Sequence, residues 1–255
     1  VTTASQFTER EAQIVNVAHM IEDGRTYWVG GGGSPLYAIL LGKKIRSPQA
    51  QYITEDGCIA PEPDLPFDPI MTMVASKAGY RALQWGNMNT SGMHAQVGLM
   101  DYGILNTLQV DRYGNVNSTA TGDYDGEGRR FNGPGGADSI AALCWRTILM
   151  TDQQKRKFVE RVDFISSPGF LDGSEGARER AGLPRGTGPY KVVTPWAIFG
   201  YTEARELSLE AVAPWVSKEQ VLAEMSFAPH VAEPLGEMDI PDEDELQILR
   251  TELDV

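Results

Sequence analysis

The chain has 255 residues, 42% of them hydrophobic and 22% charged, with a formal net charge of −13. That is ordinary globular composition, and its acidity argues against generic binding to nucleic acid or an anionic membrane surface. Two cysteines and three histidines, none at ligand spacing, point away from a disulfide framework and a metal site.

In chain order, Val1-Thr2-Thr3-Ala4-Ser5-Gln6 lacks the basic-then-apolar pattern of a secretory leader, and no apolar run reaches the roughly 18 to 20 residues of a membrane span. A reduced, cytoplasmic protein is expected. Thr8-Glu9-Arg10-Glu11 reads as a capping box, the Thr8 hydroxyl and Glu11 carboxylate each satisfying an orphan amide. Apolar residues then recur at helical spacing through Ile14, Val15, Val17, Ala18 and Ile21, and Gly24 closes the helix. Thr26 to Val29 reads as a strand running into Gly30-Gly31-Gly32-Gly33, and Ser34-Pro35 supplies a cap and first-turn proline for a helix to Lys44. Gln51 to Thr54 is a second strand, leading into Glu55-Asp56-Gly57.

Four prolines between Pro61 and Pro69 predict a loop. Leu105 to Val110 reads as one buried strand, turning at Tyr113-Gly114-Asn115. Gly133-Pro134-Gly135-Gly136-Ala137 is a second glycine loop, followed by a helix-like run from Ile140 to Cys144. Lys191 to Val193 and Ala197 to Phe199 read as strands, Ser217 to Met225 and Glu243 to Leu253 as helices. The carboxylates from Asp239 to Glu245 fit a solvated face and a helix start. Together these elements predict one α/β domain over residues 1–255, with a single open, mostly parallel sheet flanked by helices.

Three places suit chemistry, because ligands collect where strands end in such sheets. Gly30 to Gly33 would let backbone amides approach a ligand at a helix start; the plain alternative is a structural turn. Glu55, directly after a strand, suits a general base or a nucleophile, or simply a turn carboxylate. Asp56 beside it is a rival, although neighbours leaving a strand usually point apart. Gly135-Gly136 could nest a carbonyl oxygen gaining negative charge, and Arg129 and Arg130 could reach phosphate or carboxylate groups or form an ordinary surface pair. The polar stretch from Asn87 to Gln96, with His94, reads equally as substrate loop or plain surface.

Five segments follow one another: Thr54-Glu55-Asp56-Gly57, Gln109 to Thr119, Arg130 to Ala137, Asp163 to Gly173, and Arg178 to Pro184. In this order they resemble the class I coenzyme A transferases, and most of all the glutamate-bearing (beta) subunit of glutaconate CoA-transferases. The first is similar to the family's Ser-Glu-Asn-Gly signature, with Thr54 and Asp56 where many relatives carry serine and asparagine. The resemblance implies a CoA-transferase (NagB/RpiA-like) fold, an alpha subunit as partner in a heterotetramer or larger assembly, and ping-pong transfer of CoA from an acyl-CoA to a carboxylic acid. It implies Glu55 as nucleophile, oxyanion donors at Gly135, Gly136 and Ala137, and CoA contacts from Gly31, Gly32, Gly33 and Arg130. Coenzyme A would be a substrate, with no tightly bound cofactor. Hydrolysis or decarboxylation of a CoA thioester on the same fold, or a non-catalytic metabolite-binding subunit, are the alternatives.

Overall fold

The computed structural model describes residues 7–30, 33–64 and 78–255. The chain forms two compact units, one running to Asn106 and resuming at Asp239, the other spanning Thr107–Met238.

In the first unit, α1 (Glu9–Ala18) begins at the expected capping box. Thr8 Oγ1 accepts from the Glu11 amide at 3.1 Å, and the Glu11 carboxylate accepts from the Thr8 amide at 2.6 Å. Every residue from Glu11 to Ala18 is buried, so the helix is held by packing on all sides as well as by its cap. β1 (Thr26–Val29) follows, then α2 (Ser34–Ile45), with Pro35 in its first turn, and β2 (Gln51–Thr54). The N-cap of α2 is Gly33 and not the expected Ser34, which is the first helical residue and whose hydroxyl makes no cap bond but accepts from Arg10. α3 (Met88–Gln96) occupies the stretch read as substrate loop or surface. Its start is a capping box as well: Asn87 Oδ1 accepts from the amides of Asn89 and Thr90, and Thr90 Oγ1 accepts from the Asn87 amide. Of the predicted proline loop, residues 65–69 lie outside the described residues; the rest, 61–64, has no regular structure.

β3 (Tyr102–Asn106) completes a three-stranded parallel arrangement with β1 in the centre. Parallel strands covered by helices read as continuous apolar runs, and Tyr27, Trp28, Val29, Tyr52 and Ile104 are accordingly buried. The expected strand from Leu105 to Val110 is in fact two. β3 ends at exposed Asn106, Leu108 is 42% exposed, and β4 (Gln109–Asp111) begins in the second unit. Apolar periodicity alone carries no signal for such a break.

The second unit continues with β5 (Val116–Asn117), β6 (Ala120–Thr121), β7 (Arg129–Arg130), α4 (Ala137–Leu143), β8 (Arg146–Met150), β9 (Phe158–Val159) and α5 (Ala177–Arg180). β10 (Pro189–Val193), β11 (Ala197–Tyr201), β12 (Leu207–Val212), α6 (Lys218–Ala223) and β13 (His230–Glu237) complete it. Its main strands lie in the order β13-β12-β11-β10-β8. The outer pairs are parallel, and the hairpin-linked β10, β11 and β12 are antiparallel. Across both units parallel pairing predominates in the main strands, as the α/β reading expects.

The chain then returns to the first unit. α7 (Glu243–Gln247), capped by Asp242, unwinds into a π-turn over Ile248–Glu252. Arg250 reaches the buried Glu11 carboxylate with Nε at 2.6 Å and Nη2 at 3.0 Å. Burial raises the Glu11 pKa, but hydrogen bonds from Arg250 and Thr8 prevail and hold it below the usual range. Among the described residues, no helix is long and apolar enough to cross a membrane.

Candidate active site

Glu55 leaves the end of β2. Strand register pairs Thr54 with Val29, and Val29 with Ile104 on its other side. Glu55 and Gly30 therefore leave neighbouring strands at the same level, where parallel sheets present ligand sites. The Gly30 amide donates to the Ile104 carbonyl at 3.0 Å, so β1 stays in register up to the glycine loop.

Asp56, the rival carboxylate, is turned back onto its own strand. Thr54 Oγ1 donates to Asp56 Oδ1, and the Cys58 thiol lies 4.0 Å from Asp56 Oδ2. Gly57 closes the turn with φ +95°, its amide donating to the Thr54 carbonyl at 3.0 Å. A side chain at Gly57 would place Cβ 2.2 Å from the Asn87 carbonyl oxygen, so only glycine permits both the backbone angle and the approach of α3.

The first glycine loop follows Gly30 in the chain. Gly31 and Gly32 lie outside the described residues; Gly33 caps α2 with φ +76°. Arg10 was missed by sequence reasoning. Its guanidinium lies over the Tyr37 ring at 5.9 Å, donates to Ser34 Oγ at 3.2 Å, and would sit 3.7 Å from a Cβ at Gly33. A cation thus stands beside the positive end of α2, an arrangement suited to an anionic group. Packing of α1 on α2 brings Arg10 there, and only knowledge of that pairing would have found it.

The second glycine loop belongs to the second unit. The β6–β7 hairpin leads into it: Phe131 donates to Thr119 O at 2.9 Å and Gly133 to Ser118 O at 3.0 Å. The Ala137 amide donates to Pro134 O at 3.0 Å, which occupies that proposed donor. The Gly135 amide meets no backbone acceptor among the described residues, and Gly136 is the N-cap of α4. The Arg130 guanidinium lies over the Tyr124 ring, 3.7 Å from its centroid, and donates to the Tyr124 carbonyl. Any CoA contact from Arg130 would start from that clamped position.

α4 is anchored at its other end by Arg178, which is 5% exposed. Its guanidinium donates to the carbonyls of Ala141, Ala142, Pro168 and Gly169 and to Thr187 Oγ1. Burial pushes its pKa down to about 10, so it stays charged at neutral pH and offsets the negative helix end.

The first unit also carries a groove of about 680 Å³, lined by Ile53, Ile59, Leu83, His94, Leu99 and Met100 among others. Thr26 and Gln51, the first residues of β1 and β2, border it.

Residues 69–224 match the family model described as Coenzyme A transferase. The chain belongs to the coenzyme A transferase family. Within it, the chain is 33% identical over 258 residues to a glutaconate CoA-transferase subunit of Acidaminococcus fermentans, covering 98% of this chain and 94% of that one. The crystal structure of that organism's enzyme superposes with a TM-score of 0.87 at 30% identity, covering 98% and 95%. Identity to a 3-oxoadipate CoA-transferase subunit of Pseudomonas knackmussii is 31%, over 96% and 93%. The decarboxylase AibA/AibB shares the fold, with a TM-score of 0.79 at 23% identity over 95% and 93%. A CoA-transferase fold and CoA-transferase family membership thus agree with the sequence reading.

Proposed function

We propose that this chain is the glutamate-bearing subunit of a coenzyme A transferase and that Glu55 is its covalent nucleophile. A Glu55 carboxylate oxygen attacks the acyl-CoA thioester carbon, and the tetrahedral oxyanion collapses with loss of CoA thiolate to leave a mixed anhydride. The thiolate attacks the glutamyl carbonyl, the first acid leaves as its carboxylate, and a glutamyl-CoA thioester remains. A second carboxylate then runs the two steps in reverse and restores Glu55. Each step develops an oxyanion, for which the Gly135 and Gly136 amides are the proposed donors. We assign Gly31, Gly32, Gly33 and Arg130 to CoA binding, and read residues 1–255 as one CoA-transferase domain.

The observation that carries this reading is Glu55 at the end of β2, level with Gly30, while the adjacent carboxylate is tied back to Thr54. Arg10 beside Gly33 supplies a cation for an acidic substrate. Both of the similar transferases carry dicarboxylic acids in their names, and we propose a dicarboxylic acid here as well. A second, alpha-type chain is the proposed partner. Both of those relatives are single subunits of their enzymes, and residues 82–100 hold no Lys, Arg, Asp or Glu yet expose Leu83, Trp85, Met88, Met93, Val97 and Leu99.

Glu55→Gln tests the mechanism. The assembled enzyme should keep its fold and its CoA affinity while transfer falls by about 10⁴-fold or more. Turnover near the wild-type rate would exclude nucleophilic catalysis by Glu55.

A further inference from the structure

We propose that Thr54, Asp56 and Ser91 are positioning residues that clamp the turn carrying Glu55, with Asp56 serving as a hydrogen-bond acceptor rather than as a second charge toward the substrate. The proposal rests on the reading of Glu55 as nucleophile. Thr54 is 1% exposed, and every polar group it owns is used. Its amide donates to Cys58 O at 3.0 Å. Its carbonyl accepts from the Gly57 amide and from Ser91 Oγ, both at 3.0 Å. Its hydroxyl accepts from the Cys58 amide at 3.0 Å and spends its proton on Asp56 Oδ1.

The far side of the turn is equally held. Gly57 O accepts from the Gly86 amide at 3.1 Å, and Gly57 packs directly on the Asn87 backbone. Ser91, 0% exposed, sits one helical turn beyond Asn87, so the start of α3 grips the Glu55 turn at two points. Hydrogen bonds at residues 54, 56, 57 and 58 thus hold the backbone on both sides of Glu55. A nucleophile so held meets its target without a search, and a misplacement of about 1 Å costs on the order of 10²-fold in rate.

The clamp also explains the departure from the Ser-Glu-Asn-Gly signature. A serine hydroxyl donating to an asparagine Oδ1 makes the same bond as Thr54 donating to Asp56 Oδ1. The two versions differ in charge and in a methyl group, not in the donor and acceptor that hold the turn.

The test measures single-turnover formation of the glutamyl-CoA thioester at saturating acyl-CoA in the assembled enzyme, for folded variants of matched concentration. Thr54→Ser and Asp56→Asn keep the bond and should react within about twofold of wild type, whereas Thr54→Val, Asp56→Ala and Ser91→Ala should lose about tenfold or more in that single-turnover rate, with little change in KM measured separately at steady state. Should Thr54→Val fail to fold, Asp56→Ala and Ser91→Ala carry the test. Wild-type rates in Asp56→Ala and Ser91→Ala would overturn the clamp. A loss in Asp56→Asn equal to that in Asp56→Ala would show that the charge matters, and would overturn the assignment of Asp56. An active Glu55→Gln would instead remove the reading on which the clamp rests, so the two failures are distinguishable.

Discussion

Glu55 and Asp56 are chemically similar neighbours separated by local hydrogen bonding. Position at the end of β2 left both residues open, and the resemblance of Thr54-Glu55-Asp56-Gly57 favoured Glu55. That Asp56 takes the Thr54 hydroxyl proton was not legible, because strand alternation alone does not decide it. Gly57 shows the opposite case, since an Asp-Gly pair after a strand already signals a turn needing positive φ. Gly57→Ala should lower unfolding stability by about 2 kcal/mol or more, read as a lower urea midpoint at unchanged m-value. Arg10 is the residue least visible in advance, as nothing local links the first turn of α1 to the glycine loop. If it meets an anionic substrate group, Arg10→Met should raise KM for the acid or for acyl-CoA by about tenfold while kcat holds. Unchanged KM for both substrates would remove Arg10 from the site.

At the level of elements, those with a local start signal were legible: Thr8 with Glu11 for α1, Ser34-Pro35 for α2, Ser217 for α6 and Asp242 for α7. α3 was missed although Asn87 and Thr90 stand at capping-box spacing, because Gly92 and several polar residues give it no apolar stripe. The C-terminal return depends on His19, whose Nε2 faces Glu245 and whose Nδ1 faces Asp239. Both partners are carboxylates, which favour the doubly protonated ring. The bond to Glu245, aided by that to Asp239, raises the His19 pKa against the lowering effects of burial and Arg46. Burial raises Glu245, but hydrogen bonds from His19 and Asp242 outweigh it and lower its pKa. The His19 contribution is complete below its unfolded value of 6.5 and is lost as pH rises through the raised folded value. The Glu245 contribution is present above its unfolded value and lost as pH falls through the lowered one. His19→Gln should therefore cost most stability in mildly acidic buffer, and its Tm should converge on wild type as the pH is raised to about 9. A gap that does not narrow would contradict the stabilising role of the His19 contacts with Glu245 and Asp239. In the second unit, Arg178→Met strands the carbonyls at the end of α4 and should cost about 3 kcal/mol or more, measured by urea unfolding.

For the whole molecule, composition excluded several functions, but the ordered motifs from Thr54 to Pro184 carried the family. A mostly parallel α/β sheet was legible from the strand, glycine loop and helix that run from β1 through α2 to β2. The division at Asn106 was not, because Leu105 to Val110 reads as one strand in sequence and forms parts of two in space. The uncharged stretch from Ala82 to Met100 bears on assembly. Leu83→Glu with Val97→Glu should leave the isolated chain folded by circular dichroism while abolishing co-purification with a co-expressed alpha-type chain; full recovery of the complex would place that chain elsewhere. The central claim is tested most directly by trapping. The assembled enzyme is incubated with acyl-CoA, treated with borohydride or hydroxylamine, digested and mapped by mass spectrometry. The account predicts an acyl-CoA-dependent modification on the peptide containing Glu55 and at that residue. Steady transfer with Glu55 unmodified, or with the label on another side chain, would contradict it.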